Sequence, residues 1–116
     1  MPCAGDVFEG PNGFRLEIVS LAEDLLVMEA AYPGTGDLPP VHLHPGQAER
    51  FEVLEGSLRA IVDGEETRHA AGATFEVPAG TPHTMTADEP ARTRWEVRPA
   101  LRTAEFFEAL YTGTAT

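Results

Sequence analysis

Three of the four histidines in this 116-residue chain, and one glutamate, stand where turn residues separate short strand-like runs. His42 and His44 follow Gly36-Asp-Leu-Pro-Pro-Val and lie two residues apart, so an extended backbone projects both imidazoles from one face. Glu49 opens the next alternating run, and His83 follows the turn Pro78-Ala-Gly80-Thr-Pro. Three neutral ring nitrogens and one carboxylate oxygen suit a divalent first-row transition metal. Four protein ligands leave positions on a six-coordinate ion for water or substrate, so such a site is open and suited to chemistry rather than closed and structural.

Strands must carry these residues. Runs with strand character cover 14–20, 25–32, 41–44, 49–54, 57–62, 66–70, 74–77, 83–87 and 93–97, with ten prolines and eleven glycines as punctuation between them. Short strands separated by turns at such intervals predict an all-β sandwich or barrel. Asp63-Gly64, between two alternating runs, predicts a hairpin turn. Only the tail departs from this pattern. Over 103–111 the apolar Phe106, Phe107, Leu110 and Tyr111 recur at helical spacing behind a capping Thr103 and an acidic first turn, which predicts one short C-terminal helix packed on the sheet.

Alternation assigns faces. If Glu49 points inward, Phe51 and Val53 share its side while Arg50 and Glu52 face water. Arg59 is expected to face outward, leaving Leu58, Ala60 and Val62 inside. His83 inward brings Met85 and Ala87 with it, and Trp95 and Val97 turn inward between Arg94, Glu96 and Arg98. The wall beside the four chemically active residues is then Phe51, Val53, Met85, Ala87 and Trp95, with no cation among them. Such a wall cannot pair an anion, so the expected ligand is a small apolar, aromatic or polyketide-like molecule that meets the metal through oxygen, not a sugar phosphate. Gln47 reads as a surface turn residue beside Pro45 and Gly46, and His69 as an exposed strand histidine.

Composition narrows the rest. With 19 acids against 8 bases the formal charge is −11, which repels phosphate backbones and anionic membranes, so no nucleic-acid or membrane partner is expected. The length and the 42% hydrophobic fraction suit one domain over 1–116 that buries roughly two-thirds of its unfolded surface. No apolar run approaches membrane-spanning length, no leader pattern opens the chain, and Cys3 is the only cysteine, together an expectation of a cytoplasmic protein. Cys3 itself reads as an idle terminal thiol.

The spacing of the chemically active residues resembles the two sequence motifs of the cupin superfamily. The first runs over 36–56: Gly36, five residues, His42-x-His44, four residues, Glu49, six residues and Gly56. The second runs over 72–87: Gly72, five residues, Pro78-x-Gly80, two residues and His83. The family then places an Asn four residues later, where this chain has Ala87, a departure that leaves the ligand set intact and weakens transfer of any particular activity. The resemblance is to single-domain bacterial metal-binding cupins of the conserved-barrel type. It implies a double-stranded β-helix, or jelly-roll, barrel with His42, His44, Glu49 and His83 as ligands of one divalent ion per chain, commonly iron, manganese, nickel, zinc or copper. It also implies a homodimer, in agreement with the alternating apolar stretch 8–26, which a small barrel covers incompletely. The leading functional expectation is a metal-dependent enzyme of dioxygenase type acting on a small organic substrate. The alternatives are a metal-assisted isomerase, cyclase or decarboxylase of a polyketide-like compound, and a non-catalytic small-molecule-binding cupin.

Overall fold

The computed structural model describes residues 2–10 and 13–112. Among the described residues nine strands and one helix follow one another: β1 (Val7–Glu9), β2 (Arg15–Leu21), β3 (Leu26–Tyr32), β4 (Ala48–Glu55), β5 (Ser57–Val62), β6 (Glu65–Ala70), β7 (Thr74–Val77), β8 (His83–Thr86), β9 (Ala91–Arg98) and α1 (Thr103–Thr112). Two antiparallel sheets form, one in the order β1-β2-β3-β9-β4-β7 and one in the order β6-β5-β8. They face each other across a buried cluster drawn from both: Phe51, Val53 and Val77 from the larger sheet, Leu58, Ala60 and Met85 from the smaller. This is the expected jelly-roll barrel with a short C-terminal helix.

A second cluster, with Leu16, Ile18, Leu26, Met28 and Val97 at its centre, lies against Ala104 of α1. Tyr32 and Trp95 pack against both clusters and join them. The register of β4 follows from what its alternation buries. A one-residue slip would expose Phe51 and Val53, at roughly 1.5–3 kcal/mol each, and would turn Arg50 and Glu52 inward at greater cost. The same pleat carries Glu49 into the barrel.

Four departures from the sequence expectation concern the strands and their connections. Residues 41–44 are not a strand: only His42 forms a bridge, exchanging backbone hydrogen bonds with His83 at 3.0 and 2.8 Å. Pro39, Pro40 and Pro45 lack the N–H groups that a ladder needs. β1 is an additional strand that pairs with β2 from Val7 to Glu9. β8 is buried on both faces, because the 36–42 segment runs beside it and the Thr84 hydroxyl donates to the Pro39 carbonyl at 2.8 Å. Gln47 is buried, not a surface turn residue. Its amide N–H groups reach the Pro99 and Ala100 carbonyls and the Thr103 hydroxyl at 2.9, 3.1 and 2.7 Å, which anchors the start of α1 to β4. The Asp63-Gly64 turn forms as expected, with φ of 52° and 81°. No helix among the described residues is long and apolar enough to cross a membrane.

Gly56, between β4 and β5, has φ of 75°, and a Cβ there would stand 2.6 Å from the Pro90 carbonyl oxygen. Gly56→Ala combines backbone strain with a backbone clash, and a loss of about 1–3 kcal/mol is expected. Urea denaturation checks this, and a midpoint equal to that of the parent protein would refute the assigned backbone conformation.

Candidate metal centre

The four residues singled out by type arrive from three different local structures. His42 and His44 sit in the proline-bounded segment before β4, Glu49 on β4, and His83 at the first position of β8. The segment carrying the histidine pair is tied down at both ends. Arg59 on β5 donates to the Gly36 carbonyl at 3.3 Å and pairs with Asp88 at 3.1 Å, while Gly80 N–H donates to the His44 carbonyl at 2.8 Å. The Arg59 guanidinium also holds the Asp88 carboxyl below its ordinary range.

The ligand atoms of His42, His44 and His83 all lie within 4.8 Å of one another, with burial rising from exposed His42 to fully buried His83. Their ring centroids are 4.4–5.7 Å apart. His42 Nδ1 faces the Pro40 carbonyl at 3.2 Å, and His83 Nδ1 faces the Thr81 carbonyl at 2.9 Å. A carbonyl only accepts, so each Nδ1 carries the proton and each Nε2 keeps its lone pair for the centre. Glu49 Oε1 lies 3.0 Å from His83 Nε2 and 3.5 Å from His44 Nε2. Burial pushes the His44 pKa down, toward the neutral ring that a metal requires. For His83 burial acts in the same direction, but the Glu49 carboxylate and the Thr81 carbonyl outweigh it and raise the pKa.

These donors fit a divalent ion on an observation of their own. Glu49 is 3% exposed, yet its Oε1 has no well-directed hydrogen bond. The chain has no lysine, and no arginine lines the surrounding cavity. A buried carboxylate oxygen aimed at imidazole nitrogens, with no lysine or arginine to pair it, is what a cation at their common centre would satisfy.

The centre opens into a cavity of about 580 Å³. Of the five wall positions expected from sequence, Phe51, Met85, Ala87 and Trp95 line it. Val53 does not: it is buried in the inter-sheet cluster with Leu58 and Ala60, one pleat further from the centre. The alternation that assigned it to the wall gives side but not depth. Sequence reasoning missed Tyr32 and the α1 side chains Phe106, Phe107 and Leu110, all of which line the cavity. The helical spacing of those residues was legible. That the helix would close the mouth was not, because this depends on how Gln47 anchors it. Burial raises the Tyr32 pKa far above its ordinary value, with the Tyr111 and Glu49 charges adding to the effect, so its phenol stays protonated. His69 is half-buried rather than exposed. It stacks on Phe75 at 4.1 Å, and its Nε2 meets the Thr67 hydroxyl at 2.9 Å, away from the centre.

Comparison with known proteins places the fold and the family. Over 60 residues the chain is 38% identical to quercetin 2,3-dioxygenase of Bacillus subtilis (strain 168), a match covering 52% of this chain and 18% of that longer protein. Among solved structures it is similar to an RmlC-like cupin from Shewanella frigidimarina NCIMB 400, with a TM-score of 0.76 and 21% identity over 84% of this chain and 86% of that one. It is also similar to KdgF from a Halomonas species, with a TM-score of 0.74 and 24% identity over 81% and 87% of the two chains. The family model for the Cupin domain (Cupin_2) matches residues 28–97, a span that contains all four candidate ligands and most of the barrel, and the chain therefore belongs to the cupin family.

Proposed function

We propose that the chain is a metal-dependent cupin enzyme that acts on a small, apolar and oxygen-bearing substrate, with dioxygenase-type chemistry as the leading reaction class. The observation that carries this reading is the convergence of three imidazoles and the unsatisfied Glu49 Oε1 at one end of an apolar 580 Å³ cavity. His42, His44 and His83 would hold the ion through ring nitrogens and Glu49 through Oε1. When bound, a divalent ion supplies Lewis acidity and, if redox-active, electron transfer with dioxygen. The chain's own residues do the rest. Phe51, Met85, Ala87 and Trp95 exclude water and favour an aromatic body, and the protonated Tyr32 phenol offers a hydrogen bond to an oxygen of the ligand. The partial match to quercetin 2,3-dioxygenase supports an aromatic substrate whose neighbouring oxygens meet the metal.

About one divalent ion per chain is expected on metal analysis, and His42→Ala and His83→Ala should each lower occupancy sharply while the β-rich circular dichroism persists. Full occupancy in the double variant would remove the ligand assignment, with His69→Ala as the unaffected control. Protons compete with the ion for imidazole. Because the His83 pKa is raised, competition should set in above the ordinary histidine range and cost about tenfold in affinity per pH unit and per proton displaced. Ion loss should precede unfolding on acidification; coincidence of the two at every pH would argue for a structural ion.

With iron loaded, addition of a flavonol such as quercetin is expected to cause dioxygen uptake at an oxygen electrode. Tight flavonol binding without uptake would instead favour the non-catalytic binding reading, and neither would reject the aromatic-substrate reading.

We also propose a homodimer. Val7, Val19 and Leu21 on β1 and β2 remain 37–40% exposed on the chain alone, an apolar edge that a second copy can cover. Sedimentation should give twice the 12.5 kDa chain mass, and a clean monomer at micromolar concentration would rule the dimer out.

A further inference from the structure

Glu49 has two carboxylate oxygens, and only one of them faces the histidines. The other, Oε2, accepts a hydrogen bond from the Trp95 indole N–H at 2.7 Å. Trp95 is the only tryptophan of the chain and is held on several sides. It stacks on Phe51 at 5.5 Å with 21° between the rings, meets Phe107 edge-on at 5.3 Å, and its backbone pairs with Met28 and Phe51 on the flanking strands. The indole cannot swing away without opening both core clusters. It is also a pure donor: it cannot ligate an ion, and being neutral it does not offset the carboxylate charge that an ion requires.

This arrangement has a consequence for coordination. A carboxylate free to rotate can give both oxygens to one ion. With three imidazoles, that would fill five positions of a six-coordinate ion and leave one. Held through Oε2, Glu49 offers Oε1 alone, fills a fourth position and leaves two. Two open positions are what a ligand with neighbouring oxygens needs. We propose that Trp95 is a positioning residue that fixes Glu49 as a one-oxygen ligand and so keeps two positions of the ion available to a two-oxygen substrate. The inference rests on the metal-centre reading above and adds to it the selection of two-oxygen ligands.

The test has an ion-free arm and a Co²⁺ arm. In ¹⁵N-labelled ion-free protein the single indole N–H resonance should lie downfield, as for a donor to a carboxylate, and should move upfield in Glu49→Gln. An indole resonance that does not respond to Glu49→Gln would overturn the hydrogen bond and the inference with it. In the Co²⁺ arm, Trp95→Phe removes the donor. Replacement of this sole tryptophan by benzothienylalanine exchanges only the N–H for sulfur and keeps the ring shape, which covers the case in which the phenylalanine variant fails to fold. Expected are Co²⁺ affinity weaker by about 10–100-fold, a changed visible Co²⁺ spectrum, and a loss of tropolone binding to the Co²⁺ protein larger than any loss of azide binding. Tropolone brings two oxygens and azide one donor atom, so a merely structural defect would weaken both alike. If the parent protein binds Co²⁺ and the benzothienylalanine protein matches it in affinity, spectrum and tropolone binding, the inference is overturned and the metal centre stands. If the parent protein binds no Co²⁺, the metal-centre reading falls and takes the inference with it.

Discussion

A carboxylate buried without a lysine or arginine partner is the constraint on which this structure turns. Glu49 is 3% exposed on β4, flanked in register by Val97 and Val77, and the chain offers it an indole N–H and imidazole nitrogens but no guanidinium or ammonium. Leaving such a group unpaired costs several kcal/mol in an apolar surrounding. The folded chain satisfies Oε2 with an indole N–H and leaves Oε1 to the imidazoles. Such an arrangement favours positive charge at the point shared by the three imidazoles.

The precision of that point comes from irregular backbone held by regular backbone. His83 begins a strand whose four residues are all buried, whereas His42 and His44 occupy a proline-bounded segment that makes only one bridge. Two backbone hydrogen bonds between His42 and His83, the Gly80 contact to His44 and the Arg59 contact to Gly36 set the segment's position without a ladder. Carbonyls at Pro40 and Thr81 then set the tautomers of two of the rings. Each device is small, yet together they leave the imidazoles little freedom that an ion would have to remove, which is how preorganisation would raise affinity.

The cavity beyond the centre is built differently, from shared aromatics. Trp95 and Tyr32 pack against both core clusters, and the ring series Phe75, Phe51, Trp95, Phe107 and Tyr111 runs from the inter-sheet core to α1, with successive centroids 5.0–5.7 Å apart. Cavity-lining surface and fold-stabilising surface are therefore the same side chains. Substitutions in this wall would disturb the core as well, whereas Phe106 and Leu110 at the mouth are exposed and can vary at less cost to it.

Local sequence determined a great deal here. The spacing of His42, His44, Glu49 and His83 among turn glycines and prolines identified the candidate ligands. Strand-like runs between turn residues located eight of the nine strands, and period-two alternation put Phe51, Met85, Ala87 and Trp95 on the inward side, because a pleat has only two faces and charge settles which one meets water. Depth and partnership were decided by tertiary structure. Alternation could not distinguish Val53, deep between the sheets, from Phe51 beside the centre. Nor could it reveal that Gln47 anchors a helix more than fifty residues away, that this helix lines the cavity mouth, or that Trp95 on β9 would meet Glu49 through the β4–β9 register. Those contacts join residues far apart in the chain, and they exist only once the sheets have closed. Three prolines also turned an apparent strand at 41–44 into a bridged loop, where the missing N–H groups outweighed the strand-like side chains.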